Sequence, residues 1–509
     1  MLNINKKNKV KNKIFEFLTI FSMVIGLVVG SGIYLKNRSA EGGVLNAAKD
    51  NPYLAIIIWI FIGIVCTLMI VSFLEISSAI KKDQHNTLLS WSSKFISRRA
   101  ASAFSIFYVT FYMPILAALG AVFTISVTFE YGLNPFLTAI GKSKLSEAFS
   151  NTSYNALKIT LASIILIGFQ LLNYFSEKPS QIIQTICTFT KFLPLIVVLI
   201  GGFVLYLTNN VADINGDPGG QNSFQSSSNQ WKFWSFFATV VPVIFAFDGF
   251  IHAVTLQKDV EHKKVVEPAL YAGILAITLF YILITIAIFI GANDGNIFKL
   301  FDNLFVKTPI ISFLFKLIIA FTVATLCNGY TNLLPKTIQS AAHEGFLYFG
   351  KDSLNLSKKK ASIIAILITL VLFYITIILS LSVNPLRDNT PPDYAFISET
   401  LSTSTVIYAF IIYYTLIVGV VHNRRTKKIE TKKVKGGFTI GIINLVVLSL
   451  ILPYVYFEYL IRPFITLNQD SMICAVASFI ILIPIAIFYF VNEFKIKKST
   501  VNDSKNKVV

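Results

Sequence analysis

Pro242-Val-Ile-Phe245-Ala246-Phe247-Asp248-Gly249-Phe250 places a proline, an acid and a glycine inside an otherwise apolar run. Near the start of the chain, Gly26-Leu-Val-Val-Gly30-Ser31-Gly32-Ile33 puts three glycines and a serine within seven residues of a second apolar run. Glycine costs a helix about 1 kcal/mol relative to alanine, so both runs are weakened at their middles. What the interruptions mean depends on where the runs sit.

Composition answers that. The 509 residues are 54% hydrophobic and 14% charged, with a mean hydropathy of +0.67. A soluble chain carries about 25% charged residues, so these charges are too few to cover a water-facing surface of this size. A soluble enzyme, a disordered chain and a fibrous repeat are excluded. The chain reads as an all-α polytopic membrane protein of about twelve spans, near 14–35, 54–80, 100–131, 156–175, 181–207, 233–256, 267–291, 308–335, 361–382, 400–421, 436–457 and 472–492. Each is long enough to cross about 30 Å of hydrocarbon, where only internally bonded helices or closed barrels are tolerated. Residues 1–13 and 493–509 are expected as tails. No cleavable leader is expected, because the apolar run after Lys13 is too long.

The net charge of +18 is a topology signal rather than a sign of nucleic acid. With the first tail inside, the inner segments carry 31 Lys and Arg against 11 outside, which predicts both termini in the cytoplasm. Cys66, Cys187, Cys327 and Cys474 lie in apolar segments without metal spacing, and the five histidines are scattered. Neither a metal site, a cofactor nor a cluster of catalytic groups is expected, which argues against an enzyme.

Taken alone, the first interrupted run reads equally well as a tight packing face, Gly26-xxx-Gly30, or as an unwound stretch whose freed N–H groups hold an anion. The sixth span tips the balance. The two interrupted spans are five helices apart and enter the membrane from opposite sides. Breaks at matching places of two inverted halves point to a substrate site near the midplane.

At this point the sequence resembles an amino acid permease of the amino acid–polyamine–organocation superfamily. The resemblance rests on Gly30-Ser31-Gly32-Ile33 in the first span and Phe245-Ala246-Phe247-Asp248-Gly249-Phe250 in the sixth. Asp259 and Pro268 follow at family-like spacing, Glu75 sits in a Phe73-Leu74-Glu75-Ile76 pattern, and Lys336 to Gly345 resembles the end of the family's eighth helix. The departures are Lys81 to His85 in place of a Pro-x-x-Gly-Gly turn, Ile251 in place of an acid after Gly249-Phe250, and Lys258-Asp259 with His262-Lys263.

The resemblance implies a LeuT-type five-plus-five inverted repeat with helices 1 and 6 broken. The first repeat would be 14–207, the second 233–421, and 436–492 would hold two additional helices. It implies secondary active transport of an amino acid across the cell membrane by alternating access. A polyamine or organocation carrier and a nutrient receptor that does not translocate are the alternatives. The expected partners are this small molecule and the bilayer, with the oligomeric state left open.

Under the same resemblance, the backbone of Gly30, Ser31, Gly32 and Ile33 would hold the substrate carboxylate. The carbonyls of Phe245, Ala246 and Asp248, with Phe247 and Gly249 in the same break, would face its ammonium group. Asp248 could cap the broken helix, carry a proton or bind a cationic substrate, and capping leads because Gly249 adjoins it. Lys191 lies too deep for comfortable snorkelling. By resemblance its ammonium would replace a sodium ion and brace the first helix against the eighth. Thr322 and Thr325, three apart, fit a sodium site poorly, so proton coupling or exchange leads. Glu75 is either a gating acid or a partner of Lys81 or Lys82. Tyr112, Ala117, Cys327, Asn328 and Tyr408 are candidates for side-chain specificity.

Overall fold

The computed structural model describes residues 2–506 apart from 41, 81–84, 214, 228–230, 256–262, 351–352 and 388–392. Among the described residues the fold is helical, without a strand. In chain order the main helices are α1 (Leu2–Val28), α2 (Ser31–Leu35), α3 (Pro52–Ser78), α4 (Arg98–Ala139), α5 (Asn151–Phe175), α6 (Glu177–Leu207) and α7 (Phe233–Phe247). They continue as α8 (Phe250–Thr255), α9 (Lys263–Gly291), α10 (Pro309–His343), α11 (Lys358–Val383), α12 (Phe396–Thr426), α13 (Gly437–Thr466) and α14 (Gln469–Ser499). Eleven helices among the described residues are long and apolar enough to span a bilayer. The first expected span falls short of that length as one helix, because it breaks after Val28, leaving the apolar stretch Glu16–Gly26. The third is longer than its apolar core suggests, continuing through Asn134-Pro135 to Ala139.

The helix starts follow capping chemistry. Asn51 accepts the Leu54 amide with Pro52 at the first position of α3. Ser97, Ser150, Ser357 and Asn468 do the same for α4, α5, α11 and α14. Each satisfies an amide that would otherwise lack a partner at the membrane edge.

Inside the bundle, small residues set the approach of the helices. A Cβ on Gly63 of α3 would stand 2.2 Å from Thr278 Cγ2 of α9, and one on Gly120 of α4 would stand 2.6 Å from Cys327 N of α10. One on Gly202 of α6 would stand 2.0 Å from the Ala287 carbonyl oxygen of α9. Close backbone approach of this kind replaces the hydrophobic driving force that lipid removes. Helix α9 thereby becomes a spine in contact with α1, α3 and α6. Large apolar side chains instead stand exposed on the perimeter, among them Leu171, Ile200, Leu279, Leu367, Ile483 and Phe490. In water this much apolar surface would aggregate, whereas in a bilayer it is the lipid-facing surface.

Gly202→Val should therefore lower the midpoint of thermal unfolding in detergent, by a destabilisation of about 1–3 kcal/mol from overpacking. An unchanged midpoint would contradict the close α6–α9 approach.

Candidate functional site

Two spans are broken, and they touch at their breaks. Between α1 and α2, Gly30 leaves the helical region, at φ −129° and ψ −149°. Between α7 and α8, Asp248 leaves the helical region and Gly249 takes φ +100°, a conformation glycine adopts without strain. A Cβ on Gly32 would lie 2.4 Å from Ala246 Cα, so the two broken spans meet in close backbone contact there. Gly30 is not the crowded position: a Cβ there would meet only the Val28 carbonyl, at 3.8 Å.

Peptide groups released inside a membrane need partners from the protein. Lys191 Nζ donates to the Gly26 carbonyl at 2.7 Å and the Val29 carbonyl at 2.5 Å. The lysine sits where α6 itself is interrupted, between Thr190 and Phe192, three residues before a proline that lacks the N–H for the next helical bond. The Tyr34 hydroxyl in turn donates to the Lys191 carbonyl. From α9, the Tyr281 hydroxyl lies 2.9 Å from the Val28 carbonyl and 3.3 Å from the Ala246 carbonyl, so one group serves both broken spans. Trp59, Phe247 and Tyr281 pack their rings beside it, 5.2–5.9 Å between centroids.

Lys191 thus bonds the end of the first helix. Among the described residues no hydrogen bond runs from Lys191 to α10. There, Thr322 and Thr325 turn their hydroxyls to the carbonyls of Ile318 and Thr322 on their own helix.

Asp248 sits in the second break. The Gly249 amide, just before α8, lies beside its carboxylate. The Tyr112 hydroxyl of α4 donates to Oδ2, and Oδ1 is buried without a hydrogen-bond partner. A π-helical turn at Tyr108–Tyr112 sets Tyr108 and Tyr112 side by side, ring centroids 4.7 Å apart. Tyr108 reaches the Tyr413 hydroxyl of α12 at 3.5 Å, and Tyr112 meets Tyr330 of α10 edge-on at 6.0 Å.

Charged pairs flank the breaks on opposite sides. On one face, Lys36 is paired with Glu399 at 3.0 Å and lies 4.9 Å from the Phe245 ring centre. Arg38 lies 3.9 Å from the same carboxylate and bonds the Tyr131 hydroxyl. Above them opens a vestibule of about 910 Å³ whose walls include Arg38, Tyr131, Lys158 and Glu399. Its lining reaches down α7 to Pro242, six residues before Asp248. The Asp393 carboxyl, in the loop before α12, is pushed above its usual range by burial and by the nearby Glu399 and Glu130.

On the other face, Glu75 is held by Arg424, whose Nε lies 2.7 and 2.9 Å from the two carboxylate oxygens, and by Thr431. Glu75 is therefore paired across the bundle. Lys81 and Lys82, its expected partners, lie outside the described residues, as do Asp259 and His262. Both flanking layers draw on α12, where Glu399 and Arg424 stand 25 residues, or about 37 Å, apart.

Of the specificity candidates, only Tyr112 reaches the breaks. Asn328 is tied to Ser180 and Asn173, Tyr408 donates to the Ser478 carbonyl of α14, and Cys327 packs against Gly120. Ala117 is fully buried in the α4–α10 packing. Tyr281 and Tyr34 were not legible as site residues, since a lone tyrosine in an apolar span carries no spacing signal.

A family model described as amino acid permease matches residues 15–488. The chain belongs to the amino acid permease family. This permease is 25% identical to an uncharacterised protein of Mycoplasma pneumoniae, over 89% of this chain and 85% of that one. It is 24% identical to b(0,+)-type amino acid transporter 1 of Rattus norvegicus, over 52% of this chain and 49% of the transporter. It is 23% identical to the serine/threonine exchanger SteT of Bacillus subtilis, over 56% and 57%. The chain thus spans about half the length of those two transporters.

Lys191→Met removes both donors from the Gly26 and Val29 carbonyls, and each buried acceptor left unpaired costs about 1–3 kcal/mol. The expected result is a lower unfolding midpoint in detergent than that of Lys191→Arg, which keeps donors at the site. Equal midpoints for the two variants would contradict the bracing role.

Proposed function

We propose that this permease is a secondary active transporter of an amino acid. Its substrate binds at the crossing of the two broken spans and is released to either side by alternating access. The observation that carries the reading is the backbone contact of Gly32 with Ala246 at the two breaks. In this reading Gly30, Ser31, Gly32 and Ile33 face the substrate carboxylate. The backbone of Phe245, Ala246, Phe247, Asp248 and Gly249 faces its α-ammonium group. Residues 14–207 and 233–421 are the two inverted repeats, 436–492 the additional helices, and both termini face the cytoplasm at the cell membrane.

The Lys36–Glu399 pair closes the outer side and the Glu75–Arg424 pair the inner side. Exchange or proton coupling is the mode proposed. An ammonium group already occupies the Gly26 and Val29 carbonyls, which leaves no vacancy there for a metal cation. The word exchanger in the name of the Bacillus subtilis relative supports the same mode.

Purified protein in sodium-free proteoliposomes should take up at least one labelled amino acid saturably. Uptake should rise when the vesicles are preloaded with unlabelled substrate or when an inward proton gradient is imposed. Gly32→Leu should abolish this uptake while still inserting, because its side chain has no space against Ala246. Gly30→Ala should keep most of it. Retained transport by Gly32→Leu, or an absolute sodium requirement, would overturn the reading.

A further inference from the structure

Three buried or span-end acids among the described residues carry cationic partners. Glu75 has Arg424, Glu399 has Lys36, and Glu130 has Lys158 at 2.7 Å. Asp248, in the break of the sixth span, forms no ion pair among the described residues. The Tyr112 hydroxyl donates to its Oδ2. The Gly249 amide and the Tyr413 hydroxyl stand beside the carboxylate, yet neither makes a hydrogen bond to the buried Oδ1. A carboxylate at membrane depth is costly and is retained where a partner or cavity compensates it.

The surroundings specify that partner. Tyr108, Tyr112, Tyr330 and Tyr413, from α4, α10 and α12, cluster around Asp248 with ring contacts or hydroxyl contacts to one another. A carboxylate among aromatic rings, without a resident lysine or arginine, can receive an organic cation. The carboxylate supplies the counter-charge, and the ring faces supply cation–π attraction in place of water. A metal ion would want several oxygen ligands instead, and no group of three or more metal-ligating side chains forms among the described residues.

We propose that the substrate is an amino acid with a cationic side chain, an ammonium or guanidinium group, and that Asp248 within this tyrosine cage receives that side chain. The inference rests on the reading of the crossed breaks as the substrate site. Gly32 meets Ala246, and Asp248 lies two residues further, at most about 7 Å along the chain. That separation suits a substrate whose α-carboxylate is held at the first break while a long side chain extends to Asp248. The approach is from the vestibule, whose lining ends six residues above Asp248, about 9 Å along a helix. On arrival the cation displaces the Tyr112 hydroxyl or binds at the vacant Oδ1.

The test uses the full-length protein in proteoliposomes, with labelled lysine and arginine against norleucine, their uncharged analogue. The wild type should prefer lysine or arginine, and their uptake from external solution into vesicles without internal amino acid should quicken under an inside-negative potential. Asp248→Asn should lower the lysine-to-norleucine ratio of kcat/KM by on the order of tenfold or more, with Asp248→Glu recovering part of it. A thermal-shift readout of binding, independent of translocation, should show lysine raising the unfolding midpoint of the wild type and not of Asp248→Asn. Uptake of neutral amino acids alone would overturn this inference and leave the transporter reading standing. So would an equal loss of lysine and norleucine transport in Asp248→Asn. Absence of any amino acid uptake or thermal shift, in protein that unfolds cooperatively, would overturn both.

Discussion

A helix broken inside a bilayer releases peptide groups that hydrocarbon cannot satisfy, and this protein breaks two of them at one place. Much of the architecture around the breaks answers that demand. Helix α6 is interrupted at Lys191 so that the ammonium can bond the end of α1, and α9 carries Tyr281 to carbonyls of both broken spans. The close packing of α9 against α3 and α6, through Gly63 and Gly202, is what brings that tyrosine within reach. Packing, bonding and the proposed binding site are therefore one construction. The groups that satisfy the breaks are fixed by the scaffold, and the groups left over are available to a ligand.

Charge is distributed about the same point. Glu399 and Arg424, at the two ends of α12, meet partners from the loop after α2 and from the end of α3. Each pair sits at an end of the spans, where a change in hydration alters the balance between desolvation and attraction. Exposed to water, such pairs contribute little; shielded, they hold. In a carrier that alternates its access, that property makes them suited to close one side while the other is wet. Asp248 lies between the layers and has no such pair among the described residues; a tyrosine hydroxyl donates to it instead.

The sequence carried the membrane class, the number and approximate position of the spans, and the place of both breaks. These are local properties. Length and hydropathy follow from the hydrocarbon thickness, while glycine, proline and an acid weaken a helix wherever it packs. The motifs Gly30-Ser31-Gly32-Ile33 and Phe245 to Phe250 consequently read correctly as interruptions, and their order was enough to suggest the family. The extent of α4 was harder to see, because Asn134-Pro135 looks like a helix stop and becomes instead a continuation through a π-helical turn.

What only the tertiary structure decided is which groups meet. The pairing of Glu75 with Arg424 joins residues 349 apart, and that of Tyr112 with Asp248 joins residues 136 apart. The reach of Lys191 stops at the first helix, while Asn328 and Tyr408 turn into scaffold bonds. None of this has a sequence signal, because a side chain in a span can face any of several neighbours. Its choice is set by the rotation and depth of helices that are placed by small residues elsewhere. The sequence determined where the backbone would break in the membrane. The packed bundle determined which polar groups were spent on those breaks, and which carboxylate took a tyrosine hydroxyl rather than a cation.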